Sequence, residues 1–175
     1  MKLSRNLTWF SFLMLGVLTT TAANSSSPDT LSHSLIQSIE DIYVNTVKEN
    51  HDEFKLTQLF SKKHNKTKFL NSVFSTKVFE SANNIDHSDL LITIPDAKGP
   101  WHLSIVVVAF DSDKKTNEAF NLVINKKQDY FDETKILTKY KAYKKQNKII
   151  FIYSETFDAE PITKVFNKTS EYFSP

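Results

Sequence analysis

Two near-continuous apolar runs, IVVVAF at residues 105–110 and IIFIY at 149–153, constrain this chain more than any other feature. A strand that alternates apolar with polar residues can turn one side to water. These two cannot, so they should be the central, most buried strands of a sheet. Each has a companion. DLLITIP, stopped by Pro95, leads through the turn PDAKGP into WHLSIVVVAF, and KILTKYKAYKKQNKIIFIYS doubles back at Gln146 and Asn147. The pattern predicts two antiparallel hairpins. In KYKAYKK, lysine alternates with apolar and aromatic residues, as in a half-exposed edge strand blunted by charge.

Helical spacing fills much of the remainder. Leu31, Leu35, Ile39, Ile42, Tyr43 and Val47 predict an amphipathic helix over 29–49, with Ser27 or Asp29 as cap and Pro28 in the first turn. Shorter patterns predict helices over 53–62, through Phe54, Leu59 and Phe60, and over 66–81, through Phe69, Leu70, Val73, Phe74 and Val78. TNEAFNLVINKKQDYF reads as a helix, as does DAEPITKVFNKTSEYF, with Pro161 in its first turn and Ile162, Val165, Phe166 and Phe173 inward. The expectation is a single α+β domain over 31–175. N-terminal helices precede a four-stranded, mainly antiparallel sheet in ββαββα order, with helices packed on it.

The first segment stands apart. MKLSRN carries Lys2 and Arg5, LTWFSFLMLGVLTTTAA is apolar, and Ala22 and Ala23 precede the polar NSSSPDT. That is the form of a secretory signal over 1–23, cleaved after Ala23, with a polar leader over 24–30. The apolar part is near the lower limit of a membrane span, about 17 residues, so an uncleaved anchor is the alternative. The expected localisation is secreted or extracytoplasmic.

Cleavage changes the charge balance. Lys2 and Arg5 leave and no acid precedes Asp29, so the 22 bases fall to 20 against 20 acids. Arg5 is the only arginine, and planar bidentate clamping of phosphate needs guanidinium forks. A balanced, arginine-free chain is a poor match for nucleic acid. Cysteine is absent, which removes disulfides, thiol nucleophiles and thiolate metal sites. Past Gly16 the only glycine is Gly99, so there is no P-loop, dinucleotide fingerprint or G-x-S-x-G elbow. Nucleotide, NAD and α/β-hydrolase chemistry drop out, and no cofactor is expected.

Three side-chain groups are left as candidates. Asp86, His87 and Asp89, with His102 across the first hairpin, have the ligand types for zinc or calcium, though a polar approach to a strand explains them as simply. His64 sits in the basic run KKHNKTK, read as a solvated connection. Asp111 and Asp113 follow an apolar strand in VVVAFDSD. These eight residues resemble the opening of the haloacid-dehalogenase phosphatases, and the resemblance implies Asp111 as nucleophile and Asp113 as general acid beside magnesium. It departs at Lys114 and Lys115, where that family has Gly- and Thr-type residues, and the required parallel sheet does not fit the hairpins. The alternative is a turn, with Asp111, Ser112, Asp113 or Thr116 capping a helix from Asn117. Third, Lys139, Tyr140, Lys141, Tyr143, Lys144 and Lys145, joined by Lys148, form a surface that would suit an acidic protein or an anionic envelope component, or simply keep an edge strand soluble.

The expectation is a small exported, non-catalytic binding or interaction protein, such as an accessory factor, inhibitor or immunity-type protein. The alternatives are a metal-dependent hydrolase using Asp111 and Asp113, and a membrane-anchored structural component.

Overall fold

The computed structural model describes residues 30–59, 63–95, 97, 99–125, 139–154 and 160–174. In chain order these form α1 (Thr30–Lys48), β1 (Lys55–Leu59), α2 (Lys63–Val73), a 3-10 turn (Val78–Ser81), β2 (Asn84–Thr93), β3 (Trp101–Ala109), α3 (Asp113–Ile124), β4 (Lys139–Lys145), β5 (Lys148–Ser154) and α4 (Glu160–Phe173). The class is α+β. The strands make one sheet in the order β1-β2-β3-β5-β4, with every neighbouring pair antiparallel.

The two apolar runs occupy β3 and β5, which lie side by side with Ile105 opposite Ile152 and Val107 opposite Ile150. Side chains alternate across a strand, and here both sides are apolar. Leu103, Ile105, Val107, Ile150 and Ile152 join Leu90 and Ile92 against α1 and α4. Val106, Val108, Ile149 and Phe151 join Ile85 against α2, the 3-10 turn and α3. An antiparallel sheet usually leaves one face wet; with strands this apolar, helices must cover both faces. Tyr43, fully buried in α1, donates its hydroxyl to the Trp101 carbonyl at 2.9 Å and fixes α1 over the start of β3. Burial pushes the Tyr43 phenol well above its ordinary range. Just past the end of α1, the turn residues Glu49 and Asn50 meet Lys168 and Lys164 of α4.

Three expectations need correction. The helix expected over 53–62 is not found in its described part, residues 53–59: Lys55–Leu59 is a fifth strand, pairing with Asp89–Thr93 at the sheet margin. Leu56 and Leu59 stay 43% and 39% exposed. With so little apolar surface to bury, main-chain pairing along β2 decides the conformation of this short segment. The helix expected over 66–81 is broken after Val73. Ser75 takes a left-handed φ of 47°. Its N–H bonds the Ser72 carbonyl and that of Thr76 bonds the Asn71 carbonyl, the paired closing bonds of a Schellman motif. The chain resumes as the 3-10 turn, which sends Phe79 into the core beside Phe74 and Phe151. β2 starts at Asn84 rather than Asp89, because NIDHS pairs with Ile105–Ala109 of β3 despite its polarity.

Residues 1–29, the expected signal and almost all of the leader, lie outside the described residues, as do 126–138, which hold the expected end of the TNEAF helix and the start of the second hairpin. Among the described residues no helix is long and apolar enough to cross a membrane.

Candidate functional site

Among the described residues four places gather polar side chains, and burial separates them. The most enclosed lies between α2 and the sheet. By strand alternation Asp89 points to the α2 side of β2, together with Ser104 of β3, its register partner, and Tyr153 of β5. Lys66 descends from α2 onto this group: its Nζ is 2.7 Å from Asp89 Oδ1 and 2.8 Å from the Tyr153 hydroxyl. Ser104 Oγ donates to the same Asp89 oxygen, and His102 Nε2 lies 3.3 Å from Ser104 Oγ. Lys66 is 7% exposed, Asp89 4% and Ser104 0%. Burial alone would lower the Lys66 pKa, but the Tyr153 hydroxyl and the Asp89 carboxylate together outweigh it and hold the ammonium above its ordinary value. A lysine kept protonated is neither base nor nucleophile, and a serine without exposure meets no substrate. Chemically this is a buried, hydrogen-bonded ion pair. The basic run KKHNKTK, expected to be a solvated connection, instead opens α2 and buries one of its lysines.

The aspartates after β3 are exposed and paired locally. Asp111 Oδ2 is 2.7 Å from Lys115 Nζ, which holds its carboxyl below the usual range. Asp113 begins α3, and Ser112 caps the helix by accepting from the Lys115 N–H. The family resembled by VVVAFDSD requires a parallel doubly wound sheet; the antiparallel order found here corrects that implication.

The lysine- and tyrosine-rich strand is β4, at the opposite margin from β1. Its tyrosines are not surface residues of one patch. Tyr140 donates to the Val123 carbonyl at 3.2 Å, beneath α3. Tyr143 turns to the other face, stacking on Phe173 with ring centroids 4.7 Å apart and its hydroxyl 2.7 Å from Ser170 Oγ. Lys141, Lys144 and Lys145 are exposed. Lys144 Nζ donates to Asn117 Oδ1 and Lys145 Nζ lies 5.8 Å above the Tyr172 ring. The Lys139 side chain is outside the described residues, and Lys148 is buried in β5.

The fourth place is an open cleft of about 350 Å³ where α1 overhangs the β1 margin of the sheet. One wall is His33, Gln37 and Glu40 of α1; the other is Gln58 of β1. Asp86, His87 and Ser88 of β2 complete the lining. Ser88 Oγ donates to Glu40 Oε1, joining wall to floor, and Asp86 Oδ2 accepts from Asn84 Nδ2 at 2.7 Å. Among the described residues no lysine or arginine lines the space. Its volume falls in the range of small-ligand sites.

The four residues considered as a metal set are therefore divided. Asp89 and His102 belong to the enclosed cluster, whereas Asp86 and His87 line the cleft. Among the described residues no three His, Asp or Glu side chains converge as metal ligands would. Lys66, Ser104, Glu40 and Gln58 were missed from sequence. Lys66 alone carried a signal, since Lys66, Phe69, Leu70 and Val73 follow helical spacing and put the lysine on the apolar stripe. No family model matches the chain, and neither the curated proteins nor the solved structures give a match.

Proposed function

We propose that this chain is an exported, non-catalytic binding protein that recognises another protein. The observation that carries the reading is the contrast among its polar groups. Those suited to chemistry are sealed, as in Lys66–Asp89, or paired on an exposed turn, as in Asp111–Lys115, while the open cleft at the sheet margin carries unspent hydrogen-bonding capacity. A recognition surface needs accessible donors and acceptors on rigid elements, which α1 and the β1–β2 pair supply. Export rests on the signal-like segment over 1–23.

The test uses the chain recovered from its native envelope or medium, together with the Asp111→Asn/Asp113→Asn variant. Intact mass should begin at Asn24, and both forms should cross-link to the same protein partner. A hydrolytic activity on chromogenic phosphate or carboxylate esters that disappears in the variant would overturn the non-catalytic reading. A mass that retains residues 1–23 would overturn cleavage and favour an anchored protein.

A further inference from the structure

We propose that β1 accepts an extended segment of a partner protein as a sixth strand, and that a Lys or Arg side chain of that segment enters the cleft to meet Glu40 and Asp86. This rests on the protein-binding reading above and gives it a location and a ligand chemistry.

The two margins of the sheet differ. β4 carries exposed Lys141, Lys144 and Lys145, a row of charges that opposes pairing with another strand. β1 is KLTQL, with one lysine at its first position and two exposed leucines. Among the described residues β1 pairs on one side only. Every second residue on its outer side turns an N–H and a C=O away from the sheet, the template that strand addition uses.

The cleft states what the added segment should carry. Gln58 is the register partner of Leu90 and so shares the face covered by α1. A strand laid beside β1 would run about 4.8 Å further out and point every second side chain to that same face. A long side chain there passes over Gln58 into the space beneath α1. Its end meets two carboxylates and, among the described residues, no lysine or arginine. Glu40 accepts from Ser88 and Asp86 from Asn84. A carboxylate offers about four acceptor positions, so both keep capacity for an incoming ammonium or guanidinium. Among the described residues neither forms a salt bridge. An acidic segment would bring like charges together and leave a carboxylate without donors. Ladder bonds would supply affinity and the basic side chain would set the register.

The experiment is selection from a random dodecapeptide display library on the immobilised chain beginning at Asn24. Binding of enriched peptides is then measured by fluorescence anisotropy, and backbone protection by hydrogen exchange. Enriched sequences should carry Lys or Arg among β-forming residues, and protection should rise at residues 55–59. Glu40→Gln/Asp86→Asn should weaken binding at least tenfold. The amide oxygen introduced by Glu40→Gln would still accept from Ser88, and an unchanged thermal midpoint would confirm folding. Methylating alternate peptide amides should abolish binding. Absence of enrichment, acidic consensus sequences, indifference to the double variant, or protection at 139–145 would each overturn the proposal. Full competition by millimolar lysine amide would overturn it too, by showing that a small organic amine fills the cleft without strand pairing. A cross-linked partner that docks elsewhere would leave the protein-binding reading standing while this inference fails.

Discussion

Lys66 and Asp89, 23 residues apart in sequence, meet under α2 with Nζ and Oδ1 2.7 Å apart. The pair ties α2 to the middle of β2 at a place with almost no solvent. Removing one partner leaves an uncompensated charge in a medium that solvates it poorly, which typically costs about 3–5 kcal/mol. Lys66→Met and Asp89→Asn should each lower stability by that order in urea denaturation. The Lys66→Met/Asp89→Asn double variant should cost less than the sum of the two single variants. Additive losses would show that the two side chains are not energetically coupled.

The same pair fixes a pH dependence. The folded-state pKa of Lys66 lies above its ordinary value, so the charged form is favoured by folding. That contribution is fully present below the unfolded value of about 10.4 and is lost as pH rises through the higher folded value. The stability difference between the native chain and Lys66→Met should therefore stay flat from about pH 7 to pH 9.5 and begin to shrink only above about 10.4. A difference that instead grows between pH 7 and pH 9 would mean that burial outweighs Tyr153 and Asp89 and sets the folded pKa below the unfolded one.

The break after α2 predicts a stabilising substitution. Ser75 holds φ 47° with a Cβ, where glycine has no steric penalty. Ser75→Gly should raise stability by roughly 0.5–1 kcal/mol, after the larger backbone entropy of glycine in the unfolded chain is set against the relief of strain. Thermal unfolding measures it, and a loss of stability would rule out the Schellman assignment. The break also marks a limit of sequence reading. Phe69, Leu70, Val73, Phe74 and Val78 keep helical spacing across it, and only the backbone at Ser75, with no Gly or Asn to announce it, ends the helix. Polar residues hid the first half of β2 for a related reason: Ser88 and Asp89 are buried because Glu40 and Lys66, distant in sequence, supply their partners. The apolar periodicities of α1, β3, β5 and α4 needed no such long-range knowledge and were legible. For the cleft, Asp86 and His87 could be named from sequence, but α1 as its opposite wall could not.

At the start of α3 two neighbouring substitutions should differ in effect. Ser112 accepts from the Lys115 N–H and satisfies an end group of the helix, so Ser112→Ala should cost about 1 kcal/mol. Asp111→Asn removes only an exposed pair with Lys115 and should change stability little. Chemical denaturation of both variants, with and without magnesium, tests the ranking. A metal-binding role for Asp111 would show instead as magnesium-dependent stabilisation that Asp111→Asn abolishes.

The strongest contrast should lie between the centre of the sheet and its β1 margin. Ile105 is fully buried in β3, between its register partners Ser88 and Ile152 and on the face covered by α1 and α4. Shortening it leaves a cavity that packed neighbours on rigid strands cannot collapse to fill. Ile105→Ala should therefore cost about 2–5 kcal/mol. Leu56 is 43% exposed on the strand whose pairing is main-chain in character. Its truncation removes little buried area, and Leu56→Ala should stay within about 0.5 kcal/mol. Denaturant midpoints of the two variants at constant slope decide the matter. Comparable losses would mean that Leu56 is covered in the folded chain, and with it the edge that β1 offers to a partner strand.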